Sequence, residues 1–372
     1  MNKGNIQAVR DLAVPMGDIR DRISEIQDTY PKRGTYMDRV VGTNMMQMGN
    51  GNEMVVLGSP IDTQPLRLTA HKQLASKMKI PWTYYSRMMK EGNRILAENV
   101  NYWLRDTQEQ DKNYLLRYDR HGEHPAIRAI LSDRYKRIDH VEVASRLIPV
   151  LDEGGYEIKS AYVNHEIMEI KAVTPRINTD VAGDVVQGGV TIRNSEVGLN
   201  AFKVSAFVYT LVCTNGMIAP VGSETFNRIH LGGVIQPERT GLAKGYMNWN
   251  LLSDASAYLH DNKWEEGFNR TVRALRDAEF VEIRSIDGSA EYLNKVDPSV
   301  TLTQSEIDYV KFNFRDQHAP TLYGLANAIT RTAQDVEAYT RSSELEKFGG
   351  TVLNLSGQAL NNLVTAEPVE VA

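Results

Sequence analysis

The sequence has a single cysteine and no long apolar run, and both absences limit where the protein can work. Cys213 cannot form a disulfide within one chain, which is typical of proteins from a reducing compartment. No apolar stretch approaches the roughly 18 residues that a bilayer span needs, and residues 1–18 lack the apolar block of a signal peptide. We therefore expect a cytoplasmic protein with no membrane partner.

Signatures of common enzymes are also missing. There is no phosphate-binding loop of the G-x-x-x-x-G-K-[ST] type and no G-x-S-x-G nucleophile elbow, and Gly49-Asn50-Gly51 lacks the third glycine of the dinucleotide fingerprint. His165 and Glu166 begin a zinc-protease-like motif that has no second histidine. Cys213 would be a nucleophile only if a histidine and a carboxylate converged on it from elsewhere, so we expect a buried thiol. We predict a protein that is not an enzyme and uses no cofactor.

Two imidazoles and a carboxylate lie within four residues, at His121, Glu123 and His124. This spacing around Gly122 is typical of a polar loop, and no further His or Cys cluster completes a tetrahedral set of ligands. We predict no metal site, and metal binding by these three residues stays open as the alternative.

The charge is unevenly distributed along the chain. The 372 residues carry a net charge of -5, which argues against a histone-like coat of positive charge. Between Arg67 and Arg94, however, seven cations stand against Glu91 alone, a local charge of +6. Binding of nucleic acid depends on where charge lies and not on its sum. This segment is therefore either a solvated helix face or a surface that faces phosphates.

Hydrophobic periodicity divides the chain into four parts: an N-terminal segment over 1–35, a core domain over 36–236, a helical C-terminal region over 237–365 and a disordered tail over 366–372. We predict an α+β fold, in which a mixed or antiparallel sheet packs against helices and a helical C-terminal part follows.

Local patterns predict individual elements. Gly49-Asn50-Gly51-Asn52 predicts a hairpin turn, and Asp139 with Glu142 predicts a capped helix that runs through Leu151 and stops at 154–155. Thr303 and Glu306 predict a second capped helix, over 307–314. Periodicity predicts continuous helices over 249–280 and 321–348, the latter stopped by Gly349-Gly350, and strands over 114–118, 126–131, 156–163, 165–173, 189–192 and 201–213.

The segment Gln73–Gly92, QLASKMKIPWTYYSRMMKEG, has the apolar spacing of a helix-turn-helix motif. Pro81 suits the first turn of the second helix. Two features argue against the motif: Lys79 occupies the turn position that usually needs a glycine with positive φ, and Trp82 and Tyr84 lie on the supposed recognition face. The positions expected to face inward are Leu74, Ala75, Met78, Ile80, Tyr85 and Met88. A plain helical hairpin that fills a core is the alternative.

Basic residues alternate with aromatic residues in several places, for example in Ser132–Arg137. A groove for single-stranded nucleic acid needs this combination, because cations follow phosphates while rings stack on bases. Acidic neighbours weaken the pattern, since 105–140 contains eight Lys or Arg and seven Asp or Glu. A sheet with Arg and Tyr on its solvated face is the alternative. We predict that Tyr85 and Tyr135 stack on bases and that phosphates are held by Lys77, Arg87, Lys90, Arg117, Arg134, Lys136, Arg137 and Lys203.

Four blocks of the sequence, at 68–89, 130–140, 194–218 and 322–350, resemble in their order the phage- and plasmid-associated proteins that share the domain of unknown function 932. The resemblance covers nearly the whole chain. It implies a protein of a mobile element that acts in the host-cell cytoplasm on DNA metabolism or on host defence. It also places the helix pair inside a larger α+β domain, and it supplies no catalytic residues.

Three functions are compatible with these observations. The first is a single-stranded-DNA-binding accessory of recombination or replication that anneals strands as a homo-oligomer, by analogy with annealing proteins of phages. The second is a sequence-specific regulator that reads duplex DNA with 81–90 and depends on Thr83 and Arg87. The third is a protein without enzymatic activity that inhibits a host partner through its helical C-terminal part.

Overall fold

Three antiparallel sheets and eleven helices make up the part of the chain that the computed structural model describes, which is residue 21 and residues 38–58, 63–105, 112–119, 126–210, 215–218, 225–228, 249–317 and 319–368. This confirms the predicted α+β class with antiparallel pairing. No helix in these ranges is both long and apolar enough to cross a membrane.

The sheets are built from twelve strands in the described ranges. One sheet has the order β1-β5-β6, a second the order β2-β3-β4, and the largest the order β11-β10-β9-β8-β7 with β12 paired to β10. The strands are β1 (Arg39–Gly42), β2 (Met46–Met48), β3 (Glu53–Val56), β4 (Thr63–Pro65), β5 (Asn113–Asp119), β6 (Ala126–Ser132), β7 (Glu157–Val163), β8 (Ile167–Val181), β9 (Asp184–Ser195), β10 (Phe202–Thr210), β11 (Asn215–Ile218) and β12 (Phe226–Arg228).

Three helices lie between β4 and β5, one between β6 and β7, and seven after β12. They are α1 (Leu68–Lys77), α2 (Trp82–Glu91), α3 (Asn93–Leu104), α4 (His140–Glu153), α5 (Trp249–His260), α6 (Glu265–Ala278), α7 (Ile286–Tyr292), α8 (Gln304–Gln317), α9 (Leu322–Asp335), α10 (Tyr339–Leu353) and α11 (Gly357–Val364).

Two large hydrophobic cores hold these elements together. The smaller core packs α1, α2 and α3 against the two three-stranded sheets, and its residues lie between Val41 and Ile130. The larger core packs the long sheet against α4 and the C-terminal helices, and its residues lie between Ile138 and Leu363. Because the larger core contains strands and helices from both sides of the predicted boundary at 236/237, that boundary does not separate two cores.

Several local predictions are confirmed. The turn at 49–52 joins β2 to β3, and the N–H of Gly49 donates to the carbonyl of Glu53 at 2.8 Å. Asp139 and Glu142 form the reciprocal capping box of α4, and the left-handed Gly155 (φ 68°) follows the helix. Such boxes can be read from sequence because every bond lies within four residues.

Both long helices predicted for the C-terminal part are interrupted, so those predictions were wrong. The first is divided into α5 and α6 by a turn in which Asn262 has a φ of 52°. The second is divided into α9 and α10, because Val336 leaves the helical region at φ -94° and ψ 127°. Conversely, α10 continues through Gly349-Gly350 to Leu353 instead of stopping there.

The first residues of the predicted tail contact the folded part of the chain. The side chain of Arg284 pairs with the carboxylate of Glu367 at 3.4 Å, and the N–H of Ala366 donates to the carbonyl of Leu363. Residues 366–368 therefore belong to the folded part, whereas 369–372 lie outside the described residues.

Candidate nucleic-acid interface

The turn between α1 and α2 has a specific backbone geometry. The N–H of Ile80 donates to the carbonyl of Ala75 at 2.9 Å, and the N–H of Lys79 donates to that of Ser76 at 3.1 Å. This pair of bonds defines a Schellman motif, which requires a left-handed residue just beyond the helix. Lys79 is that residue, with φ 54°. The turn therefore forms even though it contains no glycine, and the feature that argued against the motif does not prevent it.

The six positions predicted to face inward are all buried. Their exposed fractions do not exceed the 7% of Ile80, and Leu74 and Tyr85 are fully enclosed. Pro81 is the N-cap of α2 and not its first residue, and its carbonyl accepts from the N–H groups of Tyr84 and Tyr85. The complete set is Leu74, Ala75, Met78, Ile80, Tyr85 and Met88. The spacing of the helix-turn-helix motif thus coincides with the packing of α1 and α2.

Tyr85 is a core residue, which corrects its predicted role as a platform for bases. Its hydroxyl lies 2.9 Å from Nδ1 of His71, and its ring stacks on Trp82 with centroids 5.7 Å apart. Burial lowers the pKa of His71 to about 4 and raises the pKa of Tyr85. His71 and Tyr85 are therefore both uncharged and form a hydrogen bond inside the core, where no nucleic-acid base can reach the ring of Tyr85.

The outer face of α2 is open to solvent. Thr83, Arg87 and Lys90 are exposed, and their spacing of four and three residues places them on one side of the helix. Arg87 pairs with Glu91 at 3.1 Å, but both side chains are more than two-thirds exposed. Exposed pairs of this kind contribute little, so Arg87 can exchange Glu91 for another acceptor at small cost. We call these three residues the α2 outer face.

The first helix is fixed to the rest of the molecule by polar contacts. The Gln73 amide donates to the carbonyl of Val197 at 2.7 Å and accepts from the N–H of Ile130 at 2.8 Å. The hydroxyl of Thr69 donates to the carboxylate of Glu166. These contacts join α1 to β6, to the residue just before β8 and to a residue just after β9. Because α2 follows α1 directly, they also fix the orientation of α2 relative to these strands.

Lys77 lies half-buried at the end of α1, where its ammonium group is 4.4 Å from the centroid of Tyr114. Lys72, another of the seven cations between Arg67 and Arg94, is exposed and lies 5.8 Å from the centroid of Trp82. Both ammonium groups therefore lie against rings of the helix pair or of β5.

Arg117 is also buried, which corrects its assignment to a phosphate. Its guanidinium group donates to Asp38 at 2.8 Å, to Asp139 at 2.7 Å and to the backbone carbonyl of Glu196 at 2.6 Å. Arg137, which is 19% exposed, shares the Asp38 carboxylate at 2.9 Å. Burial alone would raise the pKa of Asp38, but Arg117 and Arg137 hold it below its usual value. These charges are satisfied within the protein.

A second buried pair continues this network. Arg128 and Glu196 are 2.7 Å apart, with side chains that are 3% and 0% exposed, and the N–H of His140 donates to the same carboxylate at 2.6 Å. Burial would raise the pKa of Glu196, but the charges of Arg128 and Arg117 and the backbone N–H of His140 hold it below its usual value. Burial also lowers the pKa of His140, so its ring is uncharged near neutral pH and the arginines provide the compensating charge. The sequence analysis missed this network because its members are far apart in the chain.

Tyr135 is the third predicted site residue that the structure places inside. It is 6% exposed, and its hydroxyl donates to the carbonyl of Ser195 at 2.9 Å. The residues on either side of Tyr135 are more accessible to solvent: Arg134 is exposed and Lys136 is half-buried. A Cβ added at Gly198 would approach both the ring of Tyr135 and the amide of Gln73, at 3.5 and 3.9 Å. The loop that carries Arg134 therefore lies beside α1.

Lys203 lies elsewhere, on β10 of the long sheet. It is directly opposite Arg193 of β9, and burial together with this neighbouring cation lowers the pKa of Lys203. The ten predicted residues therefore do not form one groove. Arg87 and Lys90 lie on α2, Arg134 and Lys136 lie on a loop beside α1, and Lys203 lies on the long sheet.

Within the described ranges, no group of three or more His, Cys, Asp or Glu residues is arranged to hold a metal ion. The predicted loop with His121, Glu123 and His124 lies outside these ranges, as does Cys213. Searches of family models, of curated proteins and of solved structures found no match to this chain.

Proposed function

We propose that this protein binds duplex DNA and reads its sequence with the α2 outer face placed in the major groove. The observation that carries the proposal is the turn at Lys79, whose Schellman geometry joins two helices in the register of a helix-turn-helix motif. Tyr85 and Met88 hold α2 against the core on one side, and in the described part of the chain Thr83, Arg87 and Lys90 on its other side are exposed.

The chemistry of the α2 outer face suits this role. A guanidinium group can donate two parallel bonds to O6 and N7 of guanine, and a threonine can contact a base through its hydroxyl or its methyl group. Arg87 and Thr83 are the candidates for these contacts. Lys90, one turn further along, is the candidate for a phosphate contact that fixes the register of the helix on the duplex.

The buried positions of Tyr85 and Tyr135 favour duplex over single-stranded DNA. A groove for single strands depends on ring faces that bases can reach, and the two tyrosines assigned to that task are enclosed by protein. Arg134 and Lys136 remain candidates for the phosphate backbone, because their loop lies beside the helix that crosses the backbone in this binding mode.

The family resemblance supplies the proposed context, a phage or plasmid protein that acts on DNA in the cytoplasm of a host cell. Reading of DNA by a helix requires no catalytic residue and no cofactor. Proteins of this binding mode commonly read two half-sites as dimers, so we extend the proposal to a homo-oligomer with one helix pair per half-site.

A selection from a random duplex library tests the proposal, followed by fluorescence anisotropy of the enriched duplex and of its single strands at about 50–200 mM salt. We expect one sequence to be enriched and bound more tightly than either strand. Thr83→Ala and Arg87→Ala should reduce discrimination at single base pairs by about 1–3 kcal/mol. Lys90→Ala should weaken binding to all sequences and lower the log-log salt slope by about one.

Arg273→Ala is the matched control, because Arg273 is an exposed arginine of a different helix, α6. It should change neither affinity nor discrimination. The proposal fails if no sequence is enriched, or if single strands bind more tightly and the substitutions on the α2 outer face have no effect. The second result would restore the single-strand hypothesis with a different set of residues.

A further inference from the structure

A cavity lies on the face of the long sheet that is turned away from the larger hydrophobic core. Residues of β10 alternate between the two faces, so that Val204 enters the core while Phe207 and Tyr209 reach the other side. Helix α10 covers this second face and contributes Tyr339, Ser342 and Glu346 to the cavity wall. This side of the sheet carries charged and polar groups beside a small hydrophobic cluster that includes Phe207 and Tyr209.

A β-bulge directs an additional lysine toward the cavity. Ile158 pairs with Ala172 and Ser160 with Lys171, so Lys159 is an extra residue in β7 with no partner of its own in β8. Bulges redirect side chains, and they are frequent beside functional sites. As a result Lys159 and Ser160, which are adjacent in sequence, both line the same cavity, together with Lys171.

The two lysines are held differently. Lys171 is 4% exposed, pairs with Glu346, lies 3.5 Å from the carboxylate of Glu169 and has its ammonium group 4.9 Å from the centroid of Tyr339. Burial would lower the pKa of Lys171, but Glu346 and Tyr339 raise it, so the group is a permanent cation. Lys159 pairs at 2.9 Å with Glu157, whose side chain is 53% exposed. Such a pair is weak, and Lys159 can exchange Glu157 for another anion.

The cavity has the size of a small ion. Its volume is about 50 Å³, and one water needs roughly 10–15 Å³ measured in this way, which leaves space for about three to five water-sized groups. A tetrahedral oxyanion such as phosphate is of this size. Besides the two ammonium groups, the lining includes five side chains that can donate hydrogen bonds: Ser160, Tyr209, Gln334, Tyr339 and Ser342.

We propose that this cavity binds a tetrahedral oxyanion, with inorganic phosphate as its simplest form, between Lys159 and Lys171. Lys159 supplies the exchangeable cation and Lys171 the fixed one. Ser160 and Ser342 are placed to donate to its oxygens, while Glu346 stays paired with Lys171. Binding at this cavity does not depend on the proposed binding of DNA, because the cavity lies on the long sheet and the α2 outer face on the helix pair.

Isothermal titration calorimetry of the full chain with inorganic phosphate, at constant ionic strength maintained with chloride, tests the proposal. We expect one site, with an affinity no tighter than about micromolar for a ligand of five heavy atoms. Lys159→Gln should weaken binding at least about tenfold, because a charge-assisted hydrogen bond is lost. Glu157→Gln should strengthen binding, because it removes the anion that competes for Lys159.

Lys263→Gln is the matched control, since Lys263 forms a comparable exposed pair with Asp261 at 3.3 Å on a different part of the chain. It should leave the affinity unchanged. Absence of phosphate binding up to roughly 20 mM, or binding that Lys159→Gln does not weaken, overturns the proposal. Acetate that binds as tightly as phosphate overturns the tetrahedral class, because a planar carboxylate has too few oxygens to use the same donors.

Discussion

At the scale of single residues, the left-handed backbone of Lys79 is a source of strain. A residue with a Cβ adopts φ 54° at a cost of about 1–2 kcal/mol, whereas glycine adopts it freely. We expect Lys79→Gly to stabilise the turn by about 0.5–1 kcal/mol, after the greater flexibility of glycine in the unfolded chain is subtracted. Native-state hydrogen exchange at the amides of Lys79 and Ile80, which donate the two Schellman bonds, measures this change locally.

Ser76→Gly is the control for this prediction. Ser76 is an exposed residue inside α1, where glycine is unfavourable by roughly 0.5–1 kcal/mol, so exchange at the same amides should become faster. If Lys79→Gly also accelerated exchange, the left-handed turn would not be the source of strain, and the main support for the helix-turn-helix geometry would be lost.

At the scale of elements, the sequence predicted what short-range interactions decide. The capping box of Asp139 and Glu142 and the turn at 49–52 each involve residues within a few positions of each other. Pairs of residues that folding brings together from distant parts of the chain could not be predicted from local sequence patterns. Arg117 and Asp38 are 79 positions apart, and the pattern of cations and rings around Arg117 looks the same whether the guanidinium group faces solvent or a buried carboxylate. The structure therefore leaves the predicted residues Arg87 and Lys90 of α2 exposed, whereas it buries Tyr85, Arg117 and Tyr135.

Helix α10 continues through Gly349, so this glycine does not form a turn. Its missing side chain instead leaves space for the neighbouring helix α9. A Cβ added at Gly349 would lie 2.5 Å from Cγ2 of Thr330 in α9. We expect Gly349→Ala to destabilise the α9–α10 pair by about 1–3 kcal/mol, because the added methyl group forces the helices apart. Urea unfolding measures the loss.

Thr330→Ser supplies a test of this mechanism, since it removes Cγ2 and keeps the hydroxyl that donates to the carbonyl of Asn327. In the Thr330→Ser background, Gly349→Ala should lower the free energy of unfolding by distinctly less than it does in the original sequence, because the two changes concern atoms in direct contact. Equal costs in both backgrounds would show that the glycine is required for another reason.

At the scale of the whole molecule, buried histidines make stability depend on pH in a range where most carboxylates are still ionised. The pKa of His71 is 6.5 in the unfolded chain and about 4 in the folded protein, because burial disfavours the charged ring. The folded state thus binds this proton more weakly. The contribution to stability is complete above about pH 6.5 and is lost as the pH falls toward 4, by at most about 1.4 kcal/mol per pH unit. His140, whose pKa burial also lowers, acts in the same direction.

Below about pH 4.5 the carboxylate of Glu196 adds to this loss, since its pKa in the folded protein lies below its ordinary value of 4.5. Urea unfolding at a series of pH values should therefore show stability falling from about pH 6.5 and not only in acid. His71→Gln should reduce the slope between pH 6.5 and 4.5, whatever it does to stability at pH 7, because the substituted side chain does not titrate. A slope that survives His71→Gln in full would assign the acid sensitivity to His140 and to the pair of Arg128 and Glu196, which joins β6 to the residue that follows β9 of the long sheet.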